Sequence, residues 1–333
     1  MATYKGIKGF SIQNLSADPS NPIEGEMWYN STSSVWKVEE LTTAGTWASG
    51  GNINTTRGQA AAAGTQNATV YFGGRTSTAN VANSEEYDGS AWTNTPNLNT
   101  ARRTVQGNAG TQTAALAFGG LTPASPGVTA ATELWNGSAW SNNPTGLNLA
   151  RWNLAGCGLQ TAALAISGQS ATANVANVEE FNGTNWTANP VNVNTGREGP
   201  NAVGTQTAAL VFGGLLPPQT AATELWNGST WTTVSSLNTA ISNTASFGIS
   251  TAAVSAGGAT NPPGGVNNTA QTEVYDGTSW SINPNSLGTS RYMLTGSGTF
   301  SAGLAIGGGP TFTNVTEEWT GPGVAVTKTI TVS

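Results

Sequence analysis

Histidine is absent from the 333 residues, and cysteine occurs once, at Cys157. The first absence removes Ser-His-Asp triads, histidine general bases and histidine-ligated metals. The second excludes an intramolecular disulfide and any multi-cysteine metal site, and leaves Cys157 as a small buried residue of the fold. Charge is scarce too: 8% of residues are Asp, Glu, Lys or Arg, against about a quarter in an ordinary domain. The net charge is −6 and the 11 basic residues form no cluster. Nucleic acid needs a basic stripe to neutralise its phosphates, so it is excluded as a partner. No apolar run reaches the ~18 residues of a membrane span. The N-terminal residues 1–10 carry lysines but no apolar h-region, so no signal peptide is expected.

What is present is Ala, Thr, Asn, Ser and 43 glycines, a composition compatible with disorder were it not for 12 tryptophans. Large aromatics at regular intervals are what a packed core needs. The intervals are regular. YDGSAW at 87–92, WNGSAW at 135–140, FNGTNW at 181–186, WNGSTW at 226–231 and YDGTSW at 275–280 are copies of one motif, and a looser copy ends at Trp47. The closing tryptophans, Trp47, Trp92, Trp140, Trp186, Trp231 and Trp280, lie 45 to 49 residues apart. An apolar run ending in Gly-Gly (Ser-Gly at 167–168) precedes each motif, and a framework arginine opens each unit: Arg57, Arg102, Arg151, Arg197 and Arg291. The fifth unit breaks the pattern with Ile241.

Each unit reads as four short strands. Strand a follows the arginine, b ends in Gly-Gly, c carries Glu-x-aromatic, and d carries the tryptophan. Asn-Gly or Asp-Gly between c and d is a tight-hairpin signal, both residues tolerating positive φ. The glycine pair suits a bulge or a close backbone approach. Four strands in ~45 residues, repeated six times, predict an all-β, six-bladed β-propeller of antiparallel blades. Residues 45–322 form it, with residues 1–44 as an N-terminal segment bearing a β-hairpin and 323–333 as a C-terminal strand. The strand around Trp47 is expected to complete the sixth blade; the run 324–332 is a second candidate for that edge. Units one and three share TANVAN, and units two and four share ATELWNGS, as in a two-blade module copied in tandem.

Glu85, Glu133, Glu179, Glu224, Glu273 and Glu317 recur at one position per unit. Read as function they would make a ring of charge at a central site. Read as structure, each pairs with an arginine or backbone amides, because buried carboxylates require partners. The structural reading is preferred, since a frame must recur where a site needs asymmetry. It predicts that the unit with Ile241 leaves Glu224 or Glu273 a different partner. Adjacent acids (Glu39/Glu40, Glu85/Glu86, Glu179/Glu180, Glu317/Glu318) point to opposite faces of a strand and form no glycosidase dyad. No catalytic residue, metal or cofactor is expected. The Asn-x-Ser/Thr triplets at Asn136, Asn182 and Asn227 read as turn chemistry rather than glycan acceptors.

The order arginine, apolar-Gly-Gly, Glu-x-Tyr-Asp and tryptophan over residues 45–320 resembles the kelch-repeat propellers. In residues 1–44, Gly-Glu-Met-Trp-Tyr-Asn-Ser-Thr followed by Val-Trp-Lys-Val resembles a segment of tailed-bacteriophage virion proteins, tail fibres and other appendages. The resemblance implies a non-enzymatic structural component of a virion, made in the host cytoplasm and present in several copies per particle. Met27, Trp28, Tyr29 and Trp36 would attach it to other virion proteins. The variable b–c loops, bearing Pro123, Pro126, Pro217, Pro218, Pro262 and Pro263, would contact a host-surface glycan or protein. A bacterial surface or secreted kelch-like protein binding carbohydrate or protein is the alternative, and a propeller glycosidase a second.

Overall fold

The computed structural model describes residues 13–19, 25–41, 44–104, 109–124, 127–260, 267–323 and 325–330. The chain divides into two compact units, Met1–Gly45 with Gly321–Ser333, and Thr46–Thr320. The described residues of both are all β.

The larger unit holds six four-stranded antiparallel sheets in a β-propeller arrangement, plus the two-stranded pair Ala259–Thr260 and Asn267–Asn268. Numbered by their framework positions 57, 102, 151, 197, 241 and 291, the four-stranded ones are sheets 1 to 6; sheet 3 is typical, its strands a to d being Ala155–Leu159, Ala162–Ile166, Val178–Phe181 and Trp186–Ala188. Small residues on strand a let each a strand approach the next, and that of sheet 6 lies against that of sheet 1. Sheet 6 consists of Thr295–Gly298, Ala302–Ile306, Thr316–Thr320 and, from the other end of the larger unit, Thr46–Ser49, with Trp47 opposite Trp319. The run 325–330 does not take that edge. It pairs with Val35–Leu41 in the smaller unit, completing a sheet with Met27–Asn30 and Gln13–Leu15.

The c–d connection departs from the sequence expectation. Trp135 pairs with Trp140 and the Asn136 amide donates to the Ala139 carbonyl at 3.2 Å, so the tip is Gly137-Ser138 rather than Asn136-Gly137. Only its glycine takes positive φ (Gly137, +88°). The Asn136 side-chain oxygen instead accepts bonds from the Ser138 and Ala139 amides, both at 2.9 Å. Asn182, Asn227, Asp88 and Asp276 do the same in their loops. Asn and Asp are selected here as side-chain acceptors.

Two hydrogen-bond systems join neighbouring sheets. The second residue of each Gly-Gly or Ser-Gly pair donates its amide to the carbonyl of the next unit's framework position: Gly74 to Arg102, Gly120 to Arg151, Gly168 to Arg197, Gly214 to Ile241, Gly258 to Arg291, and Gly308 back to Arg57. The strand-d indoles donate to a hydroxyl on the preceding sheet: Trp47 to Thr272, Trp92 to Thr316, Trp140 to Ser84, Trp186 to Thr132 and Trp280 to Thr223. Trp231 is the exception. Its Nε1 is buried without a partner, and the first residue of strand c in sheet 3 is Val178. Val178→Thr is nearly isosteric and supplies the missing acceptor, so it should stabilise the fold by about 1 kcal/mol. A denaturation midpoint equal to or below that of the parent would refute this.

The framework acids are tied in one way throughout. Each accepts a backbone amide from the residue three before the framework position: Asn54, Asn99, Asn148, Asn194, Asn238 and Gly288, at 2.6 to 2.8 Å. Five are also ion-paired, Arg57–Glu85, Arg102–Glu133, Arg151–Glu179 (3.2 Å), Arg197–Glu224 (2.7 Å) and Arg291–Glu317 (2.7 Å), with the side chains buried. In sheet 5, where Ile241 replaces arginine, Gln271 Nε2 donates to Glu273 at 3.0 Å instead. Burial draws the Arg151 guanidinium down to about 10, with Glu179 opposing.

Candidate functional site

The frame leaves little chemistry at the axis. A cavity of about 130 Å³ there is lined by strand-a residues such as Ala62, Gly110, Val203, Ser246, Phe247 and Ser297, none of them ionisable. Cys157 is also buried on strand a, and burial pushes its thiol up to about 12. Only a thiolate attacks readily, so the native protein should leave a thiol reagent unconsumed at pH 8 and react once denatured. Labelling of the folded protein would contradict the burial.

The adjacent acids separate as a strand requires. Glu179 is held in the frame, while Glu180 accepts from Asn189 Nδ2 at 2.6 Å; Glu317 faces Arg291, while Glu318 accepts from the Tyr87 hydroxyl. No group of three or more acids and cysteine gathers as a metal site among the described residues.

Chemical variety is found at one end of the sheets. The residue after each framework position is Gly58, Arg103, Trp152, Glu198, Ser242 or Tyr292, six different types on a constant frame. Each pairs with the residue after the glycine pair: Gly58 with Arg75, Arg103 with Leu121, Trp152 with Gln169, Glu198 with Leu215, Ser242 with Ala259 and Tyr292 with Gly309. The b–c loops continue from there, so these residues and the loops share one face. The next residue in every unit has positive φ: Gln59, Thr104, Asn153, Gly199, Asn243 and Met293, at +48° to +58°. Five of these six residues donate their amides to the corresponding residue of the preceding unit, Thr104 to Gln59, Gly199 to Asn153, Asn243 to Gly199, Met293 to Asn243, and Gln59 to Met293. These bonds fix the backbone next to the variable side chains. Rigid support below and free choice above is how a scaffold presents a binding surface.

A cavity of about 550 Å³ lies on this face, lined by Arg75, Asn80, Arg103, Leu121, Thr122 and Pro123 among others. Leu121 also borders a second cavity of about 250 Å³ with Trp152 and Gln169. Asn80 Nδ2 donates to the Leu121 carbonyl at 3.0 Å, and Asn174 repeats the bond to Leu215, which explains the shared TANVAN of units one and three. Neither Arg75 nor Arg103 has an acidic partner among the described residues, and Arg103 Nε is buried without a hydrogen bond. Burial first, then the neighbouring charge of Arg75, holds Arg103 below its usual range. Glu198 on the same face is pushed above the usual carboxylate range by burial, against a hydrogen bond from Asn153.

Of the expected loop contacts, Pro123 lines the large cavity and Pro217 and Pro218 are exposed beyond Leu215. Pro126, Pro262 and Pro263 lie outside the described residues. The variable column itself was overlooked at the sequence level, though aligning the residue after each arginine exposes it.

In the smaller unit, Met27 and Tyr29 share a face with Trp36, which lies opposite Tyr29 with ring centroids 5.3 Å apart. Trp28 is on the other face, buried, its indole donating to Asp18 at 3.0 Å. Asp18 also accepts from Asn30 (2.7 Å) and Lys37 (2.5 Å), and Lys37 above all draws its carboxyl down to about 2. Trp28 therefore holds the hairpin together, and Met27, Tyr29 and Trp36 form the apolar face.

No protein-family model matches the chain. No curated protein matches it in sequence. Among solved structures 283 chains match. One, titled "Structure of YjhT", aligns with a TM-score of 0.64 at 14% identity, covering 84% of this chain and 96% of that one. At that identity the likeness speaks for the fold alone. A fold shared so widely leaves function to the sites placed on it; the chain is an all-β propeller protein.

Proposed function

We propose that this chain is a six-bladed kelch-like propeller serving as a non-enzymatic structural component of a bacteriophage virion, joined to its neighbours through the smaller unit and meeting the host surface through the b–c loop face. Six four-stranded sheets, and bonds that return from Gly308 to Arg57, support six blades. The observation that carries the recognition role is the column Gly58, Arg103, Trp152, Glu198, Ser242 and Tyr292: divergent side chains next to a backbone of constant left-handed conformation, tied by five of six possible hydrogen bonds. The apolar face of Met27, Tyr29 and Trp36 is the attachment surface in this reading, several copies being carried per particle. In this reading the described residues lining the strand-a cavity, none of them ionisable, are packing rather than a catalytic site.

Mass spectrometry of purified particles tests the virion role, with the protein expected at stoichiometric abundance. Its absence there, with presence in bacterial surface fractions, would favour the alternative of a bacterial carbohydrate- or protein-binding propeller. Particles carrying alanine at positions 103, 152 and 292 should assemble normally and adsorb to host cells more slowly.

A further inference from the structure

Trp152 differs from every other tryptophan of the chain. The others have a ring partner, an indole hydrogen bond or both, whereas Trp152 has neither among the described residues and lies half-buried on the variable face. It belongs to none of the packed clusters of the frame. Its backbone is nevertheless fixed, by exchange of both hydrogen bonds with Gln169 at 2.9 and 2.8 Å. A large aromatic held in place yet left without a partner is a stacking platform.

The adjoining cavity supplies the complementary chemistry. Arg75 and Arg103, both half-buried, line it together, in a protein of net charge −6 whose five buried arginines are all ion-paired in the frame. Two like charges brought close without a counter-charge are unfavourable alone, and an anion between them removes that penalty. Asn80 and Thr122 border the same space, and Leu121 joins it to the Trp152 cavity. Through Leu121 the two cavities adjoin, so one ligand can meet both the arginines and the indole.

We propose that this groove binds an anionic saccharide, its carboxylate or phosphodiester seated between Arg75 and Arg103 and a neighbouring sugar ring on the Trp152 indole. The inference rests on the reading of this face as a recognition surface and names its ligand class. The shared chemistry is an anion on a sugar polymer; a uronic-acid polymer and a glycerol-phosphate polymer are its two sources.

Isothermal titration of the full chain with oligogalacturonate, with a glycerol-phosphate polymer and with neutral maltohexaose tests it. Binding to at least one anionic probe is expected, falling with added salt, and none to the neutral one. R75Q and R103Q should each weaken that binding roughly 10- to 100-fold, and W152A should weaken it for either anion, with thermal midpoints unchanged. The probe that binds identifies the source. Equal binding of maltohexaose, or unaltered anion binding in R75Q/R103Q, overturns the proposal, as does failure of both anionic probes. The virion assignment is judged separately by mass spectrometry. Protein found in particles without anion binding removes the ligand and keeps the role; anion binding without incorporation does the reverse.

Discussion

Glu133→Ala should lower stability by about 3–5 kcal/mol, the cost of leaving a buried charge without its partner. The Arg102 guanidinium is fully buried, its NH2 group faces Glu133, and its Nε already lacks a bond. Removing the carboxylate also strands the Asn99 amide and side chain, which both donate to Glu133 Oε2, at 2.7 and 2.9 Å. The protein contains its own control. Sheet 5 lacks the arginine, yet Glu273 keeps its amides from Asn238 and Thr239 and gains Gln271, whose Nε2 also donates to Thr239 Oγ1 at 2.8 Å. The residue corresponding to Gln271 in sheet 2 is Ala131. Arg102→Ile alone should therefore be harmful, and Arg102→Ile with Ala131→Gln should recover about 1.5–3 kcal/mol, the worth of a hydrogen bond to a charged group. Urea unfolding of the four proteins decides it. Additive effects of the two changes would mean that the glutamine is no substitute.

The same residues show what could be read without coordinates. Repetition exposed the glutamates, arginines and tryptophans because each holds one role in every unit, and a change in any of them leaves buried polarity or a cavity. Trp47 was legible as the missing strand d for the same reason, lying ahead of the first arginine. Four features were harder to see. The Asn three before each framework position works mainly through its backbone amide, which Gly288 supplies as well as Asn54 does, so the side chain is only loosely specified. The c–d loop contains Asn-Gly, which signals a two-residue turn, but the flanking aromatics pair across four residues and tertiary packing sets the register. The strand 325–330 has no repeat partner and finds its edge in the smaller unit, a non-local choice that local pattern does not encode. The variable column is hidden because its members share a place in the fold but no residue type.

Gly307→Ala should cost about 2–5 kcal/mol, combining a left-handed backbone penalty of about 1–2 with overpacking of about 1–3. Gly307 has φ +60°, and a Cβ there would lie 2.4 Å from the Arg57 carbonyl oxygen and 2.8 Å from the Tyr71 hydroxyl. Gly137 separates the two contributions. It has φ +88° but its nearest neighbour would be Thr113 Cβ at 3.4 Å, so Gly137→Ala should show the backbone penalty alone. Gly213 occupies the position of Gly307 between sheets 4 and 5, with the Ile241 oxygen 2.4 Å from its would-be Cβ. In the third unit this column is Ser167, also left-handed at +56°, whose hydroxyl donates to the Arg197 carbonyl and accepts from its amide, both at 2.8 Å. A Cβ is thus tolerable where a hydroxyl turns the close approach into hydrogen bonds, and Gly213→Ser should be milder than Gly213→Ala. The comparison that matters most is between Gly307 and Gly213. In a closed ring the contact between the last unit and the first is one junction among six, and alanine at either glycine should lower the denaturation midpoint alike. In an open array of sheets the terminal junction could separate at little cost, and Gly307→Ala would then behave as mildly as Gly137→Ala. The bond from Gly308 to Arg57 and the strand Thr46–Ser49 on sheet 6 both join the two ends of the larger unit, so the full penalty is the expected result.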